Sequence, residues 1–282
     1  MFRPLALLAA MALGSPASAQ GEPYDPDAIE VDVELLLLVD VSRSMTINEL
    51  EIQRRGYAEA LISPEVLTAI NGGMLGSVAI AYVEWAGSYS QLIVQDWAIV
   101  RTREDAEAFA DAIALHHTAG MRRTSISSAL TVGAEYFRAN RFTGLRRVID
   151  ISGDGPNNDG MPVLRARDAV LAQGITINGL PLMTREGMGG MWTIDRLDLY
   201  YRDCVIGGTG AFVVPVLDWS EFAAAVRKKL VLEIAGDLPE TRRAGTWPEA
   251  AAPRALPAQA SPPTDCLIGE KIWERYRDSW EP

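Results

Sequence analysis

Two carboxylates and three hydroxyls stand where the strands of a sheet are expected to end. Asp40, Ser42 and Ser44 follow a continuous apolar run at alternate positions. Thr124 precedes an amphipathic stretch with helical spacing, and Asp154 follows a short apolar strand within a glycine-flanked turn. Hard oxygen donors that converge at the carboxyl edge of a sheet favour Mg²⁺ or another hard divalent ion. The sequence therefore predicts a metal site built from these five side chains.

Each of the three segments also has a purely structural interpretation. Ser42 or Ser44 could cap the helix that follows, and Thr124 could cap the next amphipathic helix. Asp154 could be an ordinary turn residue. The metal site is favoured because three separate loops supply compatible donors at the same edge of one predicted sheet.

The elements that must position these residues alternate between strand and helix. The first strand is apolar throughout, as expected for a central parallel strand covered on both faces. A short hairpin-like connection places the third strand antiparallel at one edge. The pattern predicts a doubly wound α/β domain, with a mostly parallel central sheet and helices on both faces. Strands are predicted over 33–41, 77–85, 90–97, 147–152, 175–180 and 212–217, and helices over 46–62, 102–116, 125–139, 163–173 and 219–234.

Composition and charge exclude several classes of function. The chain has 282 residues, a net charge of −11, two cysteines and two histidines. An acidic chain is a poor partner for nucleic acid, which is bound through basic patches. Two cysteines and two histidines cannot build a four-cysteine zinc site or a histidine-rich metal centre. No nucleophile elbow of the G-x-S-x-G type is present either, which favours a binding protein over a hydrolase.

The ends of the chain differ from its body. Residues 1–19 combine Arg3, an apolar run too short to span a bilayer and a small-residue cleavage pattern, which predicts a secretory signal peptide. A polar lead-in over 20–32 precedes the domain at 33–235, and 236–282 is a Pro/Ala-rich tail that ends in a short helix. No later stretch is apolar and long enough for a transmembrane helix. Export to the periplasm or beyond the cell predicts a Cys204–Cys266 disulfide, with two free thiols as the alternative.

The ordered motifs resemble a von Willebrand factor type A (vWA) domain. That family carries a metal-ion-dependent adhesion site with the pattern D-x-S-x-S, then a distant Thr, then a distant Asp. Here the matches are Asp40, Ser42 and Ser44, then Thr124, then Asp154. The segment 200–208 (YYRDCVIGG) and the run 211–216 further resemble an exported bacterial group of vWA-like proteins, DUF1194.

The resemblance implies an adhesion-type protein-binding module that is not an enzyme. Mg²⁺, or Mn²⁺ or Ca²⁺, would be held by the five donors and completed by an acidic side chain of a protein partner. Arg43, Arg122 and Arg123 flank the site loops and could favour such a partner, or could be solvated surface charges. Gly153 departs from the family, since many relatives carry Thr or Ser before the last aspartate. A metal-assisted hydrolase and a metal-free structural domain are the alternatives, and the oligomeric state is left open.

Overall fold

A computed structural model describes residues 27–116, 120–184, 193–236 and 264–278. Its central sheet has five strands in the order β3-β2-β1-β4-β5. β1 lies parallel to β2 and β4, β4 lies parallel to β5, and β3 is antiparallel to β2 at one edge. The strands are β1 (Ile29–Asp40), β2 (Val78–Trp85), β3 (Gln91–Val100), β4 (Phe142–Gly153) and β5 (Ile175–Pro181). The predicted mostly parallel sheet with an antiparallel edge is confirmed.

Helices cover both faces of this sheet. They are α1 (Ile47–Leu61), α2 (Pro64–Asn71), α3 (Arg103–Ala114), α4 (Ile126–Arg138), α5 (Val163–Leu171), α6 (Leu197–Tyr200), α7 (Phe222–Ala235) and α8 (Ile268–Asp278). Leu35 and Leu37 of β1 belong to a core with α1, α2, α3 and α7. Leu36 and Leu38 belong to a second core with α4 and α5. Because successive side chains of a strand point to opposite faces, the continuous apolar run serves both cores.

Local sequence signals account for the start of several helices. Thr46 caps α1 by accepting a hydrogen bond from the backbone N–H of Glu49, and Glu49 accepts one from the backbone N–H of Thr46. Thr102 and Asp105 form the same capping box at α3. These reciprocal bonds satisfy backbone donors that the first turn of a helix leaves without partners. α1 and α3 therefore begin within one residue of where the sequence places them.

The predicted strand at 212–217 is wrong. This segment makes only isolated bridges, Gly179 with Val213 and Leu182 with Val216, beside the free edge of β5. Pro215 interrupts it, and proline has no N–H to donate to a ladder.

β1 begins at Ile29, inside the stretch that the sequence suggested was a polar lead-in. The carboxylate of Asp32 accepts backbone N–H bonds from Leu75 and Ser77. Glu34 accepts from the N–H of Gly144 and the side chain of Asn140. Acidic side chains are therefore buried here because backbone and amide donors from neighbouring loops meet them.

A buried ionic cluster fixes α7 to the sheet. The ammonium of Lys229 lies 2.7 Å from Asp150 of β4 and also pairs with Glu233, and all three side chains are fully buried. Asn178 of β5 donates a 3.0 Å hydrogen bond to Glu233. Burial, followed by the charge of Asp150, raises the pKa of Glu233 to about 8. Glu233 therefore favours its protonated form near neutral pH.

The predicted disulfide is confirmed. Cys204 and Cys266 are bonded, with 5.5 Å between their Cα atoms, and α8 follows the second cysteine. The predicted signal peptide and most of the Pro/Ala-rich tail lie outside the described residues. Within the described parts of the chain, no helix has the length and apolar character needed to cross a membrane.

Candidate functional site

Three loops meet at the carboxyl ends of β1 and β4. β1 ends at Asp40, and the following residues turn toward the loop before α4. There the N–H of Arg43 donates to the carbonyl of Met121, and the N–H of Met121 donates to the carbonyl of Val41. β4 ends at Gly153, so Asp154 opens the third loop. Adjacent parallel strands thus deliver Asp40 and Asp154 to one edge of the sheet, as the sequence predicts.

Hydrogen bonds link four of the five predicted donors. One carboxylate oxygen of Asp40 (Oδ1) accepts a 2.7 Å bond from the backbone N–H of Ser42. The hydroxyls of Ser42 and Ser44 lie 2.8 Å apart. Ser44 donates a further 2.8 Å hydrogen bond to Oδ1 of Asp154. The serines therefore bridge the two carboxylates, while the cap of α1 is supplied by Thr46.

Thr124 is held beside this group through its backbone. Its N–H donates a 3.0 Å bond to the side-chain carbonyl of Asn158, and its own carbonyl accepts a 2.8 Å bond from the N–H of Asn158. Ser125 is the residue whose side chain caps α4, by accepting from the N–H of Ser128. The Thr124 side chain is buried and is not the cap of α4. Asn158 lies in the loop of Asp154, so this pairing joins the second and third site loops.

The electrostatics of the group favour a cation. The second carboxylate oxygen of Asp40 (Oδ2) is buried and has no hydrogen-bond partner among the described residues. Burial, followed by the charge of Asp154, raises the pKa of Asp40 well above its ordinary value. Burial also raises the pKa of Asp154 to about 6, against the hydrogen bond from Ser44, and the charge of Glu49 raises it further. A positive charge between the two acids would relieve both the burial and the repulsion.

The donor set fits a hard divalent ion with mixed ligands. Two carboxylates and neutral hydroxyls are oxygen donors of the kind that Mg²⁺, Mn²⁺ or Ca²⁺ binds. Across the described residues, no group of three or more His, Cys, Asp or Glu side chains is placed to hold a metal. The two acids at this edge are joined by the hydroxyls of Ser42 and Ser44.

Comparison with known families gives a direct assignment. A family model described as "Protein of unknown function (DUF1194)" matches residues 30–238, most of the chain. The chain belongs to the DUF1194 family. No curated protein matches it.

Solved structures show that this DUF1194 chain has a vWA-type fold. Proximal thread matrix protein 1 from the mussel byssus matches with a TM-score of 0.55 and 16% identity, over 74% of this chain and 49% of that one. A vWA protein from Catenulispora acidiphila matches with a TM-score of 0.52 and 15% identity, over 73% and 43%. The pilus adhesin SpaC from Lactobacillus rhamnosus GG matches with a TM-score of 0.54 and 12% identity, over 72% and 31%. The chain thus spans about half of these proteins' length or less.

Tyr201 adjoins the site of the DUF1194 chain and was not predicted. A Cβ atom built at Gly153 would lie 2.7 Å from the Tyr201 hydroxyl and 2.9 Å from Oδ2 of Asp40. The Tyr201 hydroxyl is buried without a hydrogen-bond partner among the described residues. Burial and the charges of Asp40 and Asp154 raise the pKa of Tyr201 well above its ordinary value. The Tyr201 hydroxyl and the Asp40 carboxylate thus occupy the space that a side chain at position 153 would fill.

Glu49 is a second residue that sequence reasoning assigned only to a cap. It is buried, and one carboxylate oxygen accepts a 2.9 Å bond from the indole N–H of Trp219, while the other accepts from the N–H of Thr46. Its charge contributes to the raised pKa of Asp154. The capping-box pattern gave its local role, but its place near the site depends on the packing of α1 against the segment before α7.

The three arginines form an exposed rim on the site loops. Arg43 donates a 3.2 Å hydrogen bond to the carbonyl of Gly120. Arg123 lies 3.7 Å from the carboxylate of Asp159 and packs on an aromatic ring of α8. Arg122 is exposed. Arg43 and Arg123 thus have roles within the loops in addition to their charge.

Proposed function

We propose that this protein is an exported module that binds a protein partner through a divalent cation at the Asp40/Asp154 edge. The observation that carries the proposal is the pair of buried acids bridged by Ser42 and Ser44, with Oδ2 of Asp40 left without a hydrogen-bond partner in the described parts of the chain. Asp40, Ser42, Ser44, Thr124 and Asp154 would hold Mg²⁺, or Mn²⁺ or Ca²⁺. The bound ion would supply an open coordination position for an acidic side chain of the partner.

The residues of this chain set the character of that position. Three of the five donors are neutral hydroxyls, which leave more of the ion's positive charge for an incoming carboxylate than acidic ligands would. The basic rim of Arg43, Arg122 and Arg123 would attract an acidic partner despite the net charge of −11. The hydroxyls of Ser42 and Ser44 are engaged with each other, and that of Ser44 also donates to Asp154, which fits ligands better than nucleophiles.

The comparisons support a binding role for the fold. One structure of the mussel thread matrix protein is described with a zinc-occupied MIDAS motif, the abbreviation for the metal-ion-dependent adhesion site. It matches this chain with a TM-score of 0.51 and 16% identity. SpaC is described as a pilus adhesin. The disulfide between Cys204 and Cys266 supports export, because such bonds persist in oxidising compartments.

A cation titration tests the metal part of the proposal. Mn²⁺ or Mg²⁺ is titrated calorimetrically into the oxidised wild type, Asp40→Ala, Asp154→Ala and the control Asp111→Ala, whose side chain is exposed on α3. We expect wild type and Asp111→Ala to bind alike and the two site variants to lose binding. A wild type that binds neither ion would refute the metal site and leave a metal-free scaffold.

A pull-down tests the partner part. Immobilised wild type and Asp40→Ala are compared on an envelope extract, each with Mg²⁺ and with EDTA. We expect a protein that is retained by wild type with Mg²⁺ and is lost with EDTA or with Asp40→Ala. A partner indifferent to both changes would place the binding surface away from these loops.

A further inference from the structure

Helix α8 is anchored beside the candidate site. The Cys204–Cys266 disulfide ties the start of this segment to the main domain, and the hydroxyl of Thr264 donates to the carboxylate of Asp203. Gly269, in the first turn of α8, lies so close to the third site loop that an added Cβ would be 2.0 Å from the carbonyl oxygen of Asn157. A residue larger than glycine would separate the helix from the loop.

Glu270 connects α8 to the loop that pairs with Thr124. Its carboxylate accepts a 2.8 Å hydrogen bond from the side-chain N–H of Asn157. The side-chain carbonyl of Asn157 in turn accepts a 3.0 Å bond from the N–H of Ser127, in the first turn of α4. The next residue, Asn158, makes the reciprocal pair with Thr124. α8 thus fixes one side of the Thr124 position through two adjacent asparagines.

Trp273 of α8 contacts the residue that directly precedes Thr124. Arg123, directly before Thr124, has a φ of +74° and is the one residue other than glycine with positive φ in the described parts of the chain. That conformation is unfavourable for a residue with a side chain and persists where the surroundings hold it. The Arg123 guanidinium lies 3.7 Å from the ring centroid of Trp273 and also 3.7 Å from the carboxylate of Asp159. This cation–π contact stabilises the backbone turn that presents Thr124.

We infer that α8, held by the disulfide, is a positioning element for the second and third site loops. Trp273 and Glu270 are the positioning residues, acting through Arg123 and Asn157. The effect on cation affinity rests on the proposed function, whereas the effect on loop order does not. Reducing the disulfide would release the helix and loosen the same two loops.

Hydrogen exchange tests the ordering of the loops. Oxidised full-length Trp273→Ala and Glu270→Ala are compared with wild type and with Glu274→Ala, an exposed acid one turn further along α8. Without added metal, we expect amide exchange at 121–128 and 156–160 to accelerate about tenfold in the first two variants. Glu274→Ala should match wild type. Trp273→Phe, which keeps an aromatic face for Arg123, should restore most of the protection.

Mn²⁺ affinity, measured on the same variants, tests whether the order serves the site. We expect Trp273→Ala and Glu270→Ala to weaken binding by about tenfold, the lower end of the range for outer-shell partners of metal ligands. Unchanged loop exchange, with α8 itself exchanging freely, would overturn the inference. Loosened loops with unchanged Mn²⁺ affinity would overturn it too, because the helix would then not serve the site.

The two proposals fail in different ways. If wild type binds no Mn²⁺, the proposed function loses its ion, and the exchange measurement alone decides whether α8 orders the loops. If wild type and both variants bind Mn²⁺ equally with unchanged exchange, the proposed ion site stands and only the inference about α8 is lost.

Discussion

Substituting Gly153 by alanine tests the packing between the two site acids and Tyr201. The added Cβ would lie 2.7 Å from the Tyr201 hydroxyl and 2.9 Å from Oδ2 of Asp40. Atoms in van der Waals contact normally lie about 3.5 Å apart, so both contacts are too short by more than half an ångström. The neighbours must therefore shift in a fully buried region.

The magnitude follows from two opposing effects. Overpacking a rigid core typically costs about 1–3 kcal/mol. Gly153 is not among the residues with positive φ, so alanine can adopt its backbone and gains about 0.4–1 kcal/mol from a less flexible unfolded chain. The net loss should be about 1–2 kcal/mol of unfolding free energy. For a domain of this size that is a fall in Tm of roughly 2–8 °C.

A double-mutant cycle with Tyr201→Phe isolates the contact. The Tyr201 hydroxyl is buried without a partner among the described residues, so its removal alone should change stability by less than about 0.5 kcal/mol. It also clears the shorter of the two contacts, so Gly153→Ala should cost about 1 kcal/mol less in the Tyr201→Phe background. Tyr82→Phe is the matched control, because the Tyr82 hydroxyl is likewise buried without a partner but is not among the nearest atoms to the Gly153 position.

Urea denaturation of the oxidised chain in EDTA, followed by circular dichroism, measures all of these variants. EDTA removes any contribution from a bound ion, so the cycle reports packing alone. An equal cost of Gly153→Ala in the wild-type, Tyr201→Phe and Tyr82→Phe backgrounds would refute the reasoning. So would a Gly153→Ala variant as stable as wild type.

Three further predictions concern the buried charges. In EDTA, Asp40→Asn should be more stable than wild type, because burial and the charge of Asp154 disfavour the ionised carboxylate. With Mg²⁺ the order of stability should reverse. Thermal unfolding with and without the ion measures both, and an order that never changes would contradict this prediction. Lys229→Met leaves two buried acids without their cation and should lower the unfolding free energy, measured in urea, by about 3–5 kcal/mol. Lys228→Met, at an exposed neighbouring position, should lower it little, and equal losses would argue against the ionic cluster. The pKa of Glu233 is raised from 4.5 to about 8, so the folded state holds its proton where the unfolded state has released it, and the contribution of Glu233 to stability falls as pH rises from about 4.5 to 8. Glu233→Gln should flatten that slope between pH 5 and 8.5, and an unchanged slope would count against the assignment.

Local pattern predicted most of the secondary structure. The apolar run of β1, the Thr46 cap and the amphipathic spacing of α4 depend on neighbours in sequence. α1 and α4 formed where expected, and β1 formed with an earlier start at Ile29. The errors lie where contacts with residues distant in sequence, or a single proline, outweigh the local pattern of polar and apolar residues. Acidic Asp32, placed by the sequence in the lead-in, joins β1 because distant backbone donors satisfy its carboxylate, and the segment 212–217 fails as a strand because Pro215 breaks its ladder.

The sequence by itself predicted the fold class, a Cys204–Cys266 pairing and five candidate donors, because each of these predictions depends on residue type, spacing or chain order. Only the tertiary structure placed Tyr201 against Asp40, Glu49 near Asp154, and α8 on the loops of Thr124 and Asp154. These contacts join segments more than 100 residues apart in the chain. Local sequence patterns do not show which distant segments meet. Burial then decided their chemistry, because removal from water is what raises the pKa of both site acids and favours a cation between them.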